Sequence, residues 1–353
     1  MLREAERPTR LAAPGRVGGV VRIMVAAVAL VVVAVVAMSL GRFSVSAWHV
    51  LQILGAEVLP TGGDFTDPER TVVVLIRLPR ILLAVLVGGG LGIAGAALQA
   101  TFRNPLVSPE IIGVSAGASL GGALALFLGL GSFFLVGGAF AFGLAALGLL
   151  FVLTMGRSGT PMLMVVLGGV VVGSFFSALV GLVTYFADPL TTLPAIVFWL
   201  LGSLATATFA KVAVAVAPIL VGAAVLLLLR WRINVLSLGD EEATSLGLRP
   251  GRMRWVILLA SALVVAGAVA VSGVVGWVGL VIPHLARIWV GPDHRVLLPV
   301  SFLVGAVYLV VIDTVARTAS GGEIPLGVLT ALIGAPVFFW LLRRNRDRIW
   351  DHA

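Results

Sequence analysis

Ten apolar runs, each about 20 residues long and bounded by charges or turn formers, constrain this chain more than any other feature. They cover approximately 21–41, 78–101, 109–130, 134–156, 161–187, 208–230, 253–272, 274–290, 297–318 and 325–342. A helix of that length crosses a hydrocarbon layer about 30 Å thick while bonding its backbone polar groups internally. A soluble domain would be about half apolar and about a quarter charged. Here the shares are 60% and 11%. The expected fold class is therefore all-α, a polytopic membrane protein with about ten transmembrane helices. The first run is longer than the apolar stretch of a secretory signal, so it is expected to stay as a helix.

The 24 cations, all but one of them arginine, cluster at the ends of these runs, which marks membrane orientation and not a nucleic-acid footprint. With ten crossings, Arg42, Arg70, Arg77, Arg80, Lys211 and Arg317 fall on one side and the other 18 cations on the side of the termini. Both termini are accordingly expected in the cytoplasm. The domain reading is a disordered basic tail over 1–20, a transmembrane domain over 21–342 with a cytoplasmic loop at 231–252, and a second tail over 343–353. The basic amino-terminal tail reads most plainly as an anchor to the anionic inner leaflet.

Small residues recur every four positions at Gly88 and Gly92, at Gly113, Gly117 and Gly121, and at Gly169 and Gly173. Such stripes let helix backbones approach closely. Packing within one subunit is the plainer expectation, a subunit interface the sharper one.

Polar residues narrow the function. An ion-coupled carrier needs ionisable groups near the bilayer midplane. By the run limits, all sixteen acids lie in tails, loops or at span ends, with Glu110, Asp188, Asp293, Asp313 and Glu323 among the last group. Proton or sodium coupling is thereby disfavoured. ATP chemistry within the chain would require a glycine-rich phosphate loop ending in lysine. The single lysine, Lys211, follows Thr208, Phe209 and Ala210. Any ATP must be hydrolysed by a partner. His49, His284, His294 and His352 lack metal-ligand spacing, and no nucleophile–base pair stands out. His284 at a membrane edge reads as a structural or capping residue.

Two charged features remain. Leu238, Gly239, Asp240, Glu241, Glu242, Ala243, Thr244, Ser245, Leu246 and Gly247 read as one short cytoplasmic helix, with Asp240 as its amino-terminal cap and Gly247 as its stop. Its acids would be repelled by the anionic cytoplasmic leaflet, so it suits a protein partner better than lipid. On the opposite side Arg77, Arg80 and Arg317 break the charge bias. They read either as snorkelling or locally paired cations, for instance Asp313 with Arg317, or as a dock for an acidic soluble partner.

Several motifs occur in order: Arg77-Leu78-Pro79-Arg80, Gln99 with Arg103-Asn104-Pro105-Leu106, Gly113-Val114-Ser115-Ala116-Gly117-Ala118 and the Ala243-to-Gly247 loop. They continue with Gly279-Leu280-Val281-Ile282-Pro283-His284, Gly291-Pro292-Asp293-His294-Arg295 and Glu323-Ile324-Pro325-Leu326-Gly327. Together they resemble the permease subunits of type II ABC importers for iron-siderophore complexes, haem and vitamin B12, from about residue 70 to 342.

The resemblance implies a vitamin B12 permease-like homodimer in a bacterial inner membrane, two cytoplasmic ATPases carrying ATP and magnesium, and a periplasmic binding protein. No cofactor is implied on this chain, and no nucleic-acid partner. Arg77, Arg80 and Arg317 match the family's external arginines, and Leu238 to Gly247 its coupling helix. The fifth span, a short helix around Thr191 to Leu201 and parts of the tenth span would line the path, with Ser174, Ser177, Thr184, Tyr185, Thr191, Leu193 and Trp199 as candidate lining residues. Asn104 to Glu110 lies slightly nearer the siderophore permeases. The expected cargo is an iron chelate, ferric siderophore or haem. The alternatives are vitamin B12, an ion-coupled secondary carrier or channel, and an intramembrane enzyme.

Overall fold

A computed structural model describes residues 16–59, 63–154 and 162–344, and among these residues there is no strand. Among the described residues seven helices are long and apolar enough to cross a membrane: 17–39, 67–101, 132–154, 162–186, 209–228, 250–272 and 294–318. Three shorter apolar helices, 114–127, 278–290 and 326–341, occupy the remaining expected runs. The ten runs thus all become helices. Two of them, at 109–130 and 274–290, begin with irregular backbone and carry helix only in their later part.

The helices that matter below are α1 (Arg16–Ser39), α2 (Ala47–Val58), α3 (Asp67–Thr71), α4 (Leu78–Thr101), α5 (Val114–Phe127), α6 (Ser132–Thr154), α7 (Met162–Phe186) and α8 (Thr192–Leu200). They are followed by α9 (Phe209–Leu228), α10 (Arg230–Leu236), α11 (Asp240–Ser245), α12 (Pro250–Ser272), α13 (Val278–Val290), α14 (His294–Thr318) and α15 (Leu326–Arg344). Helix α1 starts at Arg16, so residues 16–20 are helical and not a disordered tail as expected. The rest of that tail, and the residues beyond 344, lie outside the described residues.

Helix α4 is the hub. Its membrane window is 89% buried, against 11% for α1 and 22% for α7, which places α4 inside the bundle and the other two at its periphery. Glycine makes that burial possible. A Cβ on Gly88 would stand 2.3 Å from the Gly305 carbonyl oxygen, on Gly92 2.4 Å from that of Ser301, and on Gly95 1.9 Å from that of Gly279. Only a hydrogen fits between these backbones. Gly117 and Gly121 similarly meet the carbonyls of Phe142 and Gly138 on α6, and Gly169 meets that of Ile111. These contacts lie within one subunit, as the plainer reading of the small-residue stripes expects.

The entry to α4 differs from expectation. Thr66 and Glu69 form a capping box and Pro68 sits in the first turn, so α3 starts at Asp67 and runs through a π-helical turn, Val72–Arg77, into α4. Pro79 has no N–H and its ring crowds the carbonyl four residues back, while the Leu78 N–H reaches the Val73 carbonyl, five residues back. The wide turn sets the orientation of Arg77 and Arg80.

Candidate functional site: an arginine-lined cavity, an acidic cytoplasmic helix and a mid-depth carboxylate

At the end of the bundle opposite the expected cytoplasmic side, an open cavity of about 530 Å³ is lined by Arg42, Arg77, Arg80, Arg317 and Glu323. Sequence reasoning singled out three of these arginines, and the structure brings them together. It also shows that they have internal work. Arg77 donates to the carbonyl oxygens of Met38 and Phe43, and Arg317 to those of Ala37 and, at 2.7 Å, Leu40. Carbonyls at the end of α1 have no intrahelical donor, and two cations satisfy them while complementing the negative end of the helix dipole. Gly41 makes room, since a Cβ there would lie 3.0 Å from Arg317 Nη1 and closer still to Arg77.

Arg80 is 7% exposed and donates to Asp313, Nε to Oδ2 at 2.8 Å, and to Glu323, Nη1 to Oε1 at 2.6 Å. The expected pairing of Asp313 with Arg317 is present only at 4.0 Å; the stronger partner of Asp313 is Arg80. Arg42, which sequence reasoning passed over, is exposed and donates to the Gly321 and Ser320 carbonyls. Four cations against Asp313 and Glu323 leave the cavity net positive.

At the other end, the short helix expected within 238–247 is present as α11, with a further helix, α10, ahead of it. Helix α10 ends at Leu236, and α11 begins after Gly239, whose φ of 148° places it in glycine-favoured territory. Asp240 is the first helical residue and not the cap; it instead accepts from Arg254 on α12. Gly247, at φ 81°, ends the turn as expected, with the Leu248 N–H returning to the Ala243 carbonyl at 2.9 Å. Ala243 is 0% exposed and fixes α11 to the bundle. Leu238, Glu241, Glu242, Ser245 and Leu246 face outward. Two exposed leucines, Leu238 at 63% and Leu246 at 56%, flank this acidic turn.

A polar clasp links this region to α14. The Asn234 amide donates to Asp293 Oδ1 at 2.6 Å, and its carbonyl oxygen accepts from the His294 backbone N–H at 2.8 Å and from the His294 ring at 2.6 Å. Burial pushes the Asp293 carboxyl up, but the Arg295 N–H, the Asn234 amide and the charge of Arg295 together hold it below the ordinary aspartate value. His284 bonds the Leu280 carbonyl at 2.9 Å, the structural role expected of it.

The candidate path residues separate into two groups. Ser174, Ser177 and Tyr185 are exposed on α7, while Thr184 returns its hydroxyl to the Gly181 carbonyl. Thr191 donates to Asp188 from both its N–H and its hydroxyl. Leu193 and Trp199 are both half-buried. Leu193 packs on Ala123 and Ile196, and the Trp199 ring stands where a Cβ on Gly122 would be, 2.1 Å away. A flat indole against a glycine serves helix packing.

The structure also corrects the expected placement of the acids. Asp313 lies inside α14 and Glu110 lies in a 3₁₀ turn, Pro109–Ile112, that packs against Gly279 and Gly169. That turn also borders Leu91, ten residues from the cytoplasmic end of α4 and so about 15 Å deep. Asp313 is therefore buried in the bundle and neutralised by Arg80, while Glu110 lies at mid-depth on the surface of the subunit without an ionic partner among the described residues.

Residues 29–344 match the FecCD transport family. The chain belongs to the FecCD transport family. It is a multi-pass membrane permease of the ABC importer class. The molybdate import system permease protein MolB of Haemophilus influenzae is 45% identical over 309 residues, 88% of this chain and 91% of that protein. A probable iron chelatin transport system permease protein of Helicobacter pylori is 41% identical over 326 residues, covering 91% and 97%. A solved structure described as an inward-facing conformation of a putative metal-chelate type ABC transporter superposes with a TM-score of 0.82 at 42% identity, covering 91% of this chain and 98% of that one. The FecCD relatives thus agree on the machine and differ in the cargo their names state.

Proposed function

We propose that this FecCD permease works as a homodimer in a bacterial inner membrane, drawing energy from two ATPases bound beneath it and receiving an iron chelate from a periplasmic binding protein. The observation that carries this reading is the α11 surface: an acidic turn flanked by exposed Leu238 and Leu246, tied to the bundle by Ala243 and by the Asp240–Arg254 pair. Force applied there passes to α12 through that ion pair and to α14 through the Asn234 clasp. ATP and magnesium belong to the partner; this chain's own residues bind, transmit and line.

Docking of the binding protein is assigned to the cavity around Arg42, Arg77, Arg80 and Arg317, whose net positive charge complements acidic lobes. The path is assigned to the exposed face of α7 with Ser174, Ser177 and Tyr185, where sparse polar groups suit a large cargo that must be released. Cargo has a second reading, molybdate, favoured by the 45% identity to a molybdate permease.

The test of the ATPase assignment is co-purification of the ATPase with the permease carrying Thr244→Pro. Loss of the partner with dimers retained supports α11 as its seat, and wild-type recovery overturns it. Uptake of labelled iron chelate and of labelled molybdate by the complete complex decides the cargo.

A further inference from the structure

The carboxylate of Glu110 is exposed on the subunit surface at mid-depth and makes no hydrogen bond or ion pair among the described residues. An ionised group facing lipid there is costly, and such residues face a water-filled cavity or a subunit interior. Its position is not incidental to the fold. Helices α5 and α13 are the two shortest membrane helices between longer neighbours, 14 and 13 residues, and each is preceded by irregular backbone. Those two breaks touch: a Cβ on Gly276, before α13, would stand 2.9 Å from Glu110 Oε1, and Pro109 packs on Gly279. Paired interrupted helices at mid-membrane mark substrate sites in transporters, because irregular backbone is tolerated there only where it lines a cavity.

A small cavity of about 10 Å³, the size of one water, is lined beside Glu110 by Ser108, Ser115 and Trp277. Further toward the cytoplasm the same face of α13 carries His284 and Arg287, with Gln99 spanning from the Leu280 carbonyl at 3.2 Å to Arg287 at 3.5 Å. Polar groups therefore continue from Glu110 to the cytoplasmic end of the bundle.

We propose that Glu110 lines the aqueous cargo path at the meeting of the two helix breaks and concentrates small cations at that constriction. This rests on the permease reading above, with α7 bordering the same path.

The chain contains no cysteine, so single cysteines report access cleanly. In nanodiscs, with the partner ATPase and with and without nucleotide, Ser108→Cys and Glu110→Cys are treated with membrane-impermeant cationic and anionic methanethiosulfonates. Ser174→Cys serves as the path reference and Val28→Cys, on the peripheral α1, as the lipid reference. Both Ser108→Cys and Glu110→Cys are expected to react and Val28→Cys not to. At Ser108→Cys the cationic reagent is expected to react faster, and adding Glu110→Gln to reduce that preference about tenfold.

Reaction at Ser174→Cys without reaction at 108 or 110 overturns the placement of Glu110. No reaction at Ser174→Cys either would instead overturn the path assigned to α7. An unchanged cation preference with Glu110→Gln overturns the electrostatic role. Dimer retention by Glu110→Gln, measured by size, shows that the comparison is made on folded protein.

Discussion

Arg80 Nε stands 2.8 Å from Asp313 Oδ2 across the interface of α4 and α14, with the two side chains 9% and 2% exposed. The pair is buried, and burial decides its energetics. Removing one member of such a pair costs about 3–5 kcal/mol, because an uncompensated charge remains in a medium that solvates it poorly. Asp313→Ala is therefore expected to lower stability by about that amount in reversible unfolding of the detergent-solubilised permease. The double variant Arg80→Met with Asp313→Leu should recover most of the loss. A near-wild-type Asp313→Ala would show that Glu323 alone suffices for Arg80.

Docking and stability are separable at the same cavity. Arg80→Glu should weaken binding-protein association and also destabilise the fold, since it faces Asp313 and Glu323. Arg42→Glu, on an exposed residue bonded only to backbone carbonyls, should leave unfolding unchanged and weaken association at low salt by about tenfold, as expected for charge-steered docking. Equal association of wild type and Arg42→Glu at low salt would remove Arg42 from the docking surface.

The helical class, the ten runs and the two charged ends were legible because apolar length and arginine placement are properties of the sequence itself. The start of α3 was legible too, in the Thr66-x-x-Glu69 capping box, yet hydropathy alone sets the boundary at 78. What hydropathy cannot show is depth. Hydropathy makes the run 109–130 one span beginning at Pro109, whereas the chain enters as a 3₁₀ turn and places Glu110 beside Gly276, 166 positions away. The inward pairing of Arg80 with Asp313 was hidden for the same reason: their contact crosses 233 positions. The packing of Trp199 on Gly122 is hidden in the same way, since nothing in its sequence neighbourhood reveals it.

Backbone contact between α4 and α13 gives a sharp steric test. The Gly95 Cβ site lies 1.9 Å from the Gly279 carbonyl oxygen, and backbone cannot rotate aside as a side chain can. Gly95→Ala should cost at least the 1–3 kcal/mol typical of overpacking and reduce folded yield. Gly55→Ala, in α2 with open space around it, should be neutral in the same assay. Comparable yields for the two would contradict the close approach.

The Asn234 clasp is expected to respond to acid. The Asp293 carboxyl is held below its ordinary value, so its stabilising contribution is complete above the unfolded aspartate range and is lost as the pH falls through the lower folded value. Asn234→Ala removes both the amide donor and the acceptor for His294, and should cost about 1–3 kcal/mol through groups left unsatisfied. It should also reduce the difference in stability between neutral and acidic pH. An unchanged pH profile would show that the clasp does not set it.

In the proposed mechanism the driving force enters from outside this polypeptide, through α11. Its most direct test is uptake of labelled cargo into proteoliposomes containing the purified permease, with and without the ATPase and the binding protein. Accumulation that requires ATP and the ATPase, and that Thr244→Pro abolishes, is the result expected. Uphill accumulation by the permease alone, driven by a proton or sodium gradient, would overturn that mechanism.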